Sequence, residues 1–172
     1  MIRPATAADA ALVAALAEQT FREAFSAQNP PEEMDLHCRE NFGVDIQAQE
    51  IAAPDRLTLL IEAQGRPAGF AQLRWGAPPE GVEGGSPGEI QRFYLLQTFH
   101  GAGLAAALMD ACLEALRAHG SDVAWLGVWE ENPRAIAFYR KQGFAAVGRK
   151  VFMVGTDPQR DLVLAKPLNR TG

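Results

Sequence analysis

A short glycine-containing segment, residues 99–105, has the composition of an anion-binding turn. It reads F-H-G-A-G-L-A and lies between a predicted strand and a long predicted helix. Glycine lets backbone N–H groups approach a phosphate closely, and the dipole of the helix favours negative charge at the same place. The segment therefore predicts a site for a diphosphate-bearing cofactor, although an ordinary strand-to-helix turn that binds nothing is an equally simple interpretation.

The same glycines allow another interpretation as a relaxed dinucleotide-binding fingerprint. Gly101, Gly103 and Ala106 have the required spacing, and Glu130 stands where an acid could bind a ribose. However, Gly101 follows too far behind the predicted strand for the tight turn of that motif, and an antiparallel hairpin precedes it. The chain of 172 residues also leaves little room for a paired substrate domain. A dinucleotide-dependent enzyme is therefore the less favoured hypothesis.

A second segment, residues 126–144, decides between these interpretations. It reads L-G-V-W-E-E-N-P-R-A-I-A-F-Y-R-K-Q-G-F. Together with the glycine turn it resembles the GNAT N-acetyltransferase superfamily, whose motifs read Q/R-x-x-G-x-G/A and, after a further strand, N-x-x-A-x-x-F-Y-x-x-x-G-F. The element order is similar over nearly the whole chain, and the specific motifs fall within residues 89–144. Bacterial polyamine-acetylating members look particularly similar around residues 127–130 and 138–139.

The resemblance implies acetyl-CoA as the co-substrate, with no metal ion. Backbone amides of residues 101–106 would hold its diphosphate, while His100 stands where the motif usually has Gln or Arg and Ala102 takes an often basic position. The side chain of Asn132 adds a cofactor contact, and its place before Pro133 also predicts a helix N-cap. The implied cofactor-binding residues are Phe93, Tyr94, Leu95, His100, Gly101, Ala102, Gly103, Leu104, Ala105, Ala106, Asn132 and Tyr139.

The resemblance also implies which groups act on the thioester. In the family, the central strand separates from its neighbour, and a backbone amide there holds the thioester oxygen. By position this amide belongs to Leu95, while Phe93 and Tyr94 line the pantetheine arm. Tyr139 corresponds to the general acid toward the CoA sulfur. Since tyrosine titrates near 10 and a thiol near about 8.5, we expect either a lowered pKa of Tyr139 or a hydrogen bond that shares the proton.

Acetyl transfer to an amine further requires a base. An alkyl amine has a pKa of about 10.4 and is almost entirely protonated at neutral pH. Glu89, at the start of the central strand, matches the base position of histone-type members. Gly127 falls at another frequent base position and offers no side chain, so Glu62 or a chain of water molecules is the alternative.

The predicted elements position these groups on one mixed sheet covered by helices. Thr6 and Asp9 resemble a capping box before an apolar stripe that reaches Phe25 and predicts a first helix. The later elements are predicted as a helix over about 32–50, a strand hairpin over 57–73, a loop over 76–88, a strand over 89–96, a helix over 103–119, a strand over 122–129, a short helix from 132 to 143, and strands over 144–154 and 160–166. The order β-α-α-β-β-β-α-β-α-β-β predicts an α/β chain with a mixed (α+β) sheet in a single domain, residues 1–172. The resemblance implies the GNAT acyl-CoA N-acyltransferase fold.

Composition narrows the class of protein. Of the residues, 48% are apolar and 22% are charged, and the formal net charge is -5, which is typical of a soluble globular domain. The acidic balance argues against nucleic acid or an anionic membrane as partner. Cys38 and Cys112 form no C-x-x-C pair, so neither a zinc site nor a disulfide framework is expected. Because the N-terminus lacks a signal-like apolar core, we expect a cytoplasmic protein.

The acceptor is the least specified part of this hypothesis. Acidic residues crowd the first predicted helices and the glycine-rich loop, namely Glu18, Glu23, Glu32, Glu33, Asp35, Glu80 and Glu83. Those regions form the acceptor rim in related enzymes, which favours a small-molecule amine such as a polyamine or an amino sugar, although the same acidity could serve solubility alone. A homodimer is common among such relatives. The competing hypothesis of another class is a catalytically silent acyl-CoA-binding sensor with the same fold.

Overall fold

The computed structural model describes residues 1–168, so the last four residues of the predicted domain lie outside the described range. The helices are α1 (Ala10–Phe25), α2 (Pro31–Asn41), α3 (Val44–Ala52), α4 (Leu104–His119) and α5 (Pro133–Lys141). The strands are β1 (Ile2–Pro4), β2 (Arg56–Ala63), β3 (Arg66–Trp75), β4 (Pro87–Leu95), β5 (Val123–Trp129), β6 (Ala145–Val154) and β7 (Asp157–Pro167).

One mixed sheet organises the described chain. Its seven strands lie in the order β1-β2-β3-β4-β5-β7-β6. Every neighbouring pair is antiparallel except β4 and β5, which are parallel because α4 carries the chain back across the sheet between them. The predicted α/β architecture with a mixed sheet is confirmed, and so is the succession of elements from β2 to β7.

The helices cover both faces of this sheet with apolar side chains. On one face, α4 and α5 contribute Leu108, Leu116 and Tyr139 to a buried cluster that includes inward-facing residues of β2 to β5. On the other face, α1 and α2 contribute a second cluster, which contains Phe21 and Phe25. Side chains that are buried to this extent supply most of the stabilisation of such a domain. The sheet is thus held between two layers of helices, as the pattern of apolar stripes predicts.

The helix predicted over residues 32–50 is wrong as a single element. The chain forms two helices there, because α2 ends at Asn41 and α3 begins after Gly43. The residue at the break, Phe42, turns its ring into the core, where it is only 4% exposed. Arg92 of β4 lies over that ring at 5.1 Å. The break falls at this buried ring and at Gly43, which is the N-cap residue of α3.

The start of the first helix also differs in detail. Thr6 donates its backbone N–H to a carboxylate oxygen of Asp9 at 2.8 Å, and the predicted capping box is present. It caps a short 3-10 turn over Ala7–Asp9, however, and α1 itself begins at Ala10. The predicted capping box is therefore confirmed, and the helix is one turn shorter than the pattern predicts.

Both cysteines are free and buried. Burial raises the pKa of the Cys112 thiol to about 12. Within residues 1–168, no group of three side chains of the metal-binding types gathers at one place. In the same part of the chain, every helix is too short or too polar to cross a lipid bilayer.

Candidate active site

β4 and β5 separate in the middle of the sheet and leave a cleft, which we call the fork. They pair only over Pro87–Glu89 with Val123–Trp125. Beyond this point β4 stays paired with β3 as far as Leu95, and β5 stays paired with β7 as far as Trp129. The two strands therefore diverge while each keeps its outer neighbour. A cavity of about 900 Å³ opens at the fork, which is in the range of small-molecule and cofactor sites.

The inner edge of β4 presents backbone amides to the fork. Leu96 donates its N–H to the carbonyl oxygen of Ala68 on the β3 side, at 2.8 Å. Because successive residues of a strand point their N–H groups to opposite edges, the N–H of Leu95 faces the fork, and so does that of Phe93. Donors fixed in this way can stabilise an oxyanion that develops in the cleft. The residue predicted from the sequence, Leu95, lies on the required edge, and Phe93 offers a second amide nearer the point of separation.

Tyr139 reaches the cavity from α5. Its ring contacts that of Phe93 edge to face, with the centroids 6.1 Å apart. Burial raises the pKa of its hydroxyl above the usual value of about 10. Of the two alternatives expected for Tyr139, a lowered pKa does not agree with this burial, whereas a hydrogen bond that shares the proton does, because the hydroxyl remains protonated at neutral pH. Tyr139 can act as a hydrogen-bond donor to a group in the cleft.

The glycine turn leads directly into the N-terminus of α4. Gly101 and Gly103 have positive φ angles of 82° and 78°, a conformation that glycine adopts without strain. No side chain caps the helix, so the N–H groups of its first turn point toward the cavity without an intrahelical partner. A Cβ at either glycine would meet nothing within 4 Å. The turn thus offers open space beside unpartnered donors, and it fits a diphosphate.

His100 precedes the two glycines of this turn. Its side chain is exposed, and its ring also contacts the edge of β4. Its Nε2 lies 3.0 Å from the carbonyl oxygen of Leu95. Since a carbonyl only accepts hydrogen bonds, Nε2 is the donor in this contact. The side chain therefore links the turn to the edge of β4 that borders the fork.

Asn132 has the structural role that its sequence context predicts. Its Oδ1 accepts a hydrogen bond from the backbone N–H of Ala135 at 3.2 Å, which caps α5. The cap uses the amide oxygen and leaves the side-chain NH₂ group for another partner. Asn132 also lines the cavity, so an N-cap and a ligand contact are compatible here.

Most of the predicted cofactor-binding residues line the same cavity. The fold brings together Phe93, Tyr94, Leu95, His100, Gly101, Gly103, Ala105, Ala106, Asn132 and Tyr139. Two predicted residues do not line it. Ala102 is exposed, and the side chain of Leu104 packs against the core beneath α4. For these two residues only the backbone amides are available to a ligand in the cleft.

Glu89 lies at the closed end of the fork, where β4 and β5 still pair. Its side chain is only 5% exposed. Arg74 of β3 contacts both carboxylate oxygens, one through Nε and the other through Nη2 at 3.3 Å. The carboxylate that the sequence predicts as the base is therefore engaged by a guanidinium group.

A second buried carboxylate, Asp161 of β7, also lines the cavity, and sequence reasoning missed it. It is 5% exposed, and its Oδ1 accepts no hydrogen bond from any residue of the described chain. Burial raises its pKa to about 6. The one local signal of a buried acid is that Asp161 directly precedes the apolar run of residues 162–165, but nothing in this segment indicates that β7 lies beside β5.

On the face opposite Tyr139, the cavity is walled by an aromatic pocket. Its members are Phe21, Phe25, His37, Phe42, Trp129 and Phe152. The ring of His37 stacks on that of Phe21 with 4.1 Å between centroids. Burial lowers the pKa of His37 to about 4, so its imidazole is neutral at neutral pH. The six side chains of the pocket are rings that carry no charge at neutral pH.

The acidic residues expected around an acceptor do not form one rim. Glu18 and Asp35 share Arg22 as their partner. Glu33 accepts hydrogen bonds from Thr156 in the turn between β6 and β7. Of the seven acids named from the sequence, Glu23 lines the cavity, and the others do not.

The glycine-rich loop spans residues 76–86 in the structure, because β4 already begins at Pro87, and it lies away from the main cavity. Gly85 and Ser86 donate backbone N–H groups to the carboxylate of Asp122, at 2.8 and 3.0 Å. Val82 packs against an apolar cluster that includes Trp125. The loop covers the paired end of β4 and β5 and contributes no side chain to the fork.

Sequence comparison gives the family to which these features belong. The model of the acetyltransferase (GNAT) family matches residues 14–144. An uncharacterised N-acetyltransferase of Lactobacillus delbrueckii subsp. lactis is 32% identical over 160 residues, covering 90% of this chain and 89% of the relative. One of Mycobacterium bovis is 33% identical over 160 residues, covering 93% and 98%. Their names specify N-acetyl transfer and give no acceptor.

A solved structure shares the fold. The PaiA N-acetyltransferase from Thermoplasma acidophilum, crystallised in complex with coenzyme A, superposes with a TM-score of 0.79 over 97% of this chain and 98% of that one. The identity is 20%, so this similarity concerns the fold alone. Because the family match spans most of the chain and both relatives agree with it, the protein belongs to the acetyltransferase (GNAT) family and is an N-acetyltransferase.

Proposed function

We propose that the protein transfers the acetyl group of acetyl-CoA to the primary amine of a small molecule by direct attack in a ternary complex. The observation that carries this proposal is the fork, because it opens the sheet to both of its faces at one point. Tyr139 borders the fork on one face, and the aromatic pocket borders it on the other. A donor and an acceptor can therefore meet there from opposite sides.

The donor side is built from main-chain groups. The first-turn amides of α4 and the backbone of Gly101 and Gly103 would hold the diphosphate of acetyl-CoA. The edge of β4 over residues 93–95 would pair with the pantetheine arm in the way that an added strand pairs with a sheet. Asn132 would add its side-chain NH₂ group. Since these contacts use the backbone, the small side chain of Ala102 is compatible with them.

Three groups of this chain would then serve the reaction. The amide of Leu95 or Phe93 donates to the acetyl carbonyl oxygen as negative charge develops on it. A carboxylate takes one proton from the ammonium, and the neutral nitrogen then forms its bond to the carbonyl carbon. As the carbon–sulfur bond breaks, the nitrogen loses its second proton and the sulfur gains one through the hydroxyl of Tyr139, which donates to the sulfur. The products are an N-acetyl amine and a thiol, and the proton on the carboxylate passes to solvent.

The acceptor is a small amine with an apolar or aromatic portion. The aromatic pocket supports this class because rings bind apolar groups and also attract a cation over their faces. A polyamine acceptor depends on an acidic rim, and the acids that would form that rim are spread over separate ion pairs and turns. We therefore propose a single ammonium group beside the fork rather than a chain of them.

A binding and turnover experiment tests this function. At a concentration 100 times its Kd, coenzyme A is expected to raise the Tm by about 5–10 °C, and acetyl-CoA should be consumed with amines from a panel that varies charge and apolar size. Thiol release and mass-spectrometric detection of the N-acetyl product measure turnover. Stabilisation by coenzyme A without turnover of any amine would support the alternative hypothesis of a catalytically silent acyl-CoA-binding sensor. Stabilisation by NAD in preference to coenzyme A would support a dinucleotide-dependent enzyme.

A further inference from the structure

Asp161 occupies the centre of a row of side chains that runs across three strands. In the sheet register it is directly opposite Trp129 of β5 on one side and Lys150 of β6 on the other. Directly opposite residues point to the same face, so these three side chains lie on the face of the aromatic pocket. Although Asp161 is buried, it forms no ion pair within the described chain, and its Oδ1 has no donor. Burial of a carboxylate oxygen without a hydrogen-bond donor costs free energy of folding, and a bound ligand that donates to this oxygen would offset the cost.

The absence of a side chain at Gly127 makes room for this carboxylate. A Cβ at Gly127 would lie 2.9 Å from Oδ2 of Asp161 and 2.5 Å from Cε of Lys150. The φ angle of Gly127 is not positive, so space rather than backbone conformation accounts for the glycine. The carboxylate from β7 and the end of the Lys150 side chain from β6, whose Nζ is 3.2 Å from the same point, thus fill the position that a side chain of β5 would otherwise occupy.

This position is at the fork. Trp125 is the last residue of β5 that pairs with β4, and Gly127 is the next residue on the same face. The negative charge of Asp161 also contributes, after burial, to raising the pKa of Tyr94 on the opposite side of the fork to about 12. Asp161 lines the same cavity as Phe93 and Leu95 of β4.

We propose that Asp161 is the catalytic base of the acetyl transfer, and that its carboxylate binds the acceptor's ammonium group and takes one proton from it, so that the neutral nitrogen can form its bond to the acetyl carbon. The assignment rests on the proposed function and replaces Glu89 in that role. Glu89 has both oxygens engaged by Arg74, whereas Asp161 has an oxygen without a donor beside the cavity. Trp129, next to Asp161 in the row, supplies a ring against which the ammonium can pack.

The charges that face Asp161 set the pH range in which it works. Burial raises its pKa to about 6, Lys150 opposes this rise, and Glu130 adds to it. Tyr94 faces it across the fork as a neutral phenol. A base must be deprotonated to accept a proton, so kcat/KM should increase with pH through about 6. Because the amine itself titrates near about 10.4, a free carboxylate in this range assists an acceptor that arrives protonated.

The test compares the pH profiles of kcat/KM for the wild type, Asp161→Asn and Glu89→Gln. In the wild type we expect an acid limb near pH 6 followed by a plateau. In Asp161→Asn the plateau value should fall by about 10²–10⁴-fold at pH 7, and kcat/KM should rise tenfold per pH unit toward pH 10 as free amine accumulates. Glu89→Gln should keep the acid limb. Retention of the limb in Asp161→Asn and its loss in Glu89→Gln would overturn the proposal.

Two further measurements separate a catalytic role from a structural one. Asp161→Asn should raise the Tm at pH 8, since it removes a buried negative charge, and it should keep the stabilisation by coenzyme A. Lys150→Met should move the acid limb to higher pH, because it removes the positive charge that lowers the pKa of Asp161. An unmoved limb in Lys150→Met would contradict the assignment. If the wild type stabilises with coenzyme A but acetylates no amine, the proposed function itself is wrong, and the base assignment falls with it.

Discussion

Replacing Tyr139 with Phe is expected to lower kcat by tenfold or more while leaving the affinity for coenzyme A nearly unchanged. The substitution removes one hydroxyl and keeps the ring, which packs against Phe93, Phe138 and Phe144. Fold and cofactor contacts should therefore survive. The loss comes from the bond-breaking step, because a thiolate leaves less readily without a hydrogen-bond donor beside it.

The pH dependence of this loss identifies its cause. Burial raises the pKa of Tyr139, so the hydroxyl keeps its proton across the range in which the enzyme can be assayed. The ratio of kcat between wild type and Tyr139→Phe should accordingly be constant from pH 6 to about 9.5. This differs from the Asp161→Asn variant, whose deficit should shrink with rising pH. Steady-state kinetics at saturating acetyl-CoA measure both, and an unchanged kcat in Tyr139→Phe would make Tyr139 a packing residue.

The second large effect is expected at the glycine turn. Gly103→Ala should reduce the affinity for coenzyme A by at least about tenfold, since Gly103 has a φ angle of 78° at the start of α4. A Cβ in this left-handed conformation is strained by about 1–2 kcal/mol. Relief of that strain would rotate the amides of the first turn away from the diphosphate. Titration of the Tm with coenzyme A, analysed for Kd, measures the change.

The other end of the same helix provides a matched control. Gly120 follows α4 with a φ angle of 97°, and a Cβ there would also meet nothing within 4 Å. Gly120→Ala should therefore lower the Tm of the free protein to a similar extent and leave the Kd for coenzyme A as in the wild type. Equal losses of affinity in both variants would mean that Gly103 acts through stability alone and that the turn does not hold the diphosphate.

Several parts of the site could be predicted from the sequence because their signals are local. The turn at Gly101 and Gly103 depends on φ angles that favour glycine, and the N-cap at Asn132 depends on residues within one helical turn. The apolar stripe that ends at His119 and Gly120 likewise specifies α4 by itself. Each of these features is decided by neighbours in the chain, and each is found where the pattern indicates.

Other parts depend on which strands become neighbours. The break at Phe42 follows from a ring that packs against Arg92 of a distant strand. The pairing of Glu89 with Arg74 needs the register between β3 and β4. The direction of the pKa shift of Tyr139 needs the depth at which α5 packs against the sheet. None of these three features can be predicted from the residues next to it in the chain, because each depends on a partner in a distant segment.

The order of residues along the chain determined most of the element types, the glycine turn before α4 and the helix that carries Tyr139, since helix caps, glycine conformations and apolar periodicity act over a few residues. Only the tertiary structure decided that β7 inserts between β5 and β6, and with it the position of Asp161 over Gly127. The reason is that strand pairing joins residues far apart in the chain. A carboxylate in the strand between β5 and β6 acquires its burial, its neighbours and its basicity only when the sheet has formed.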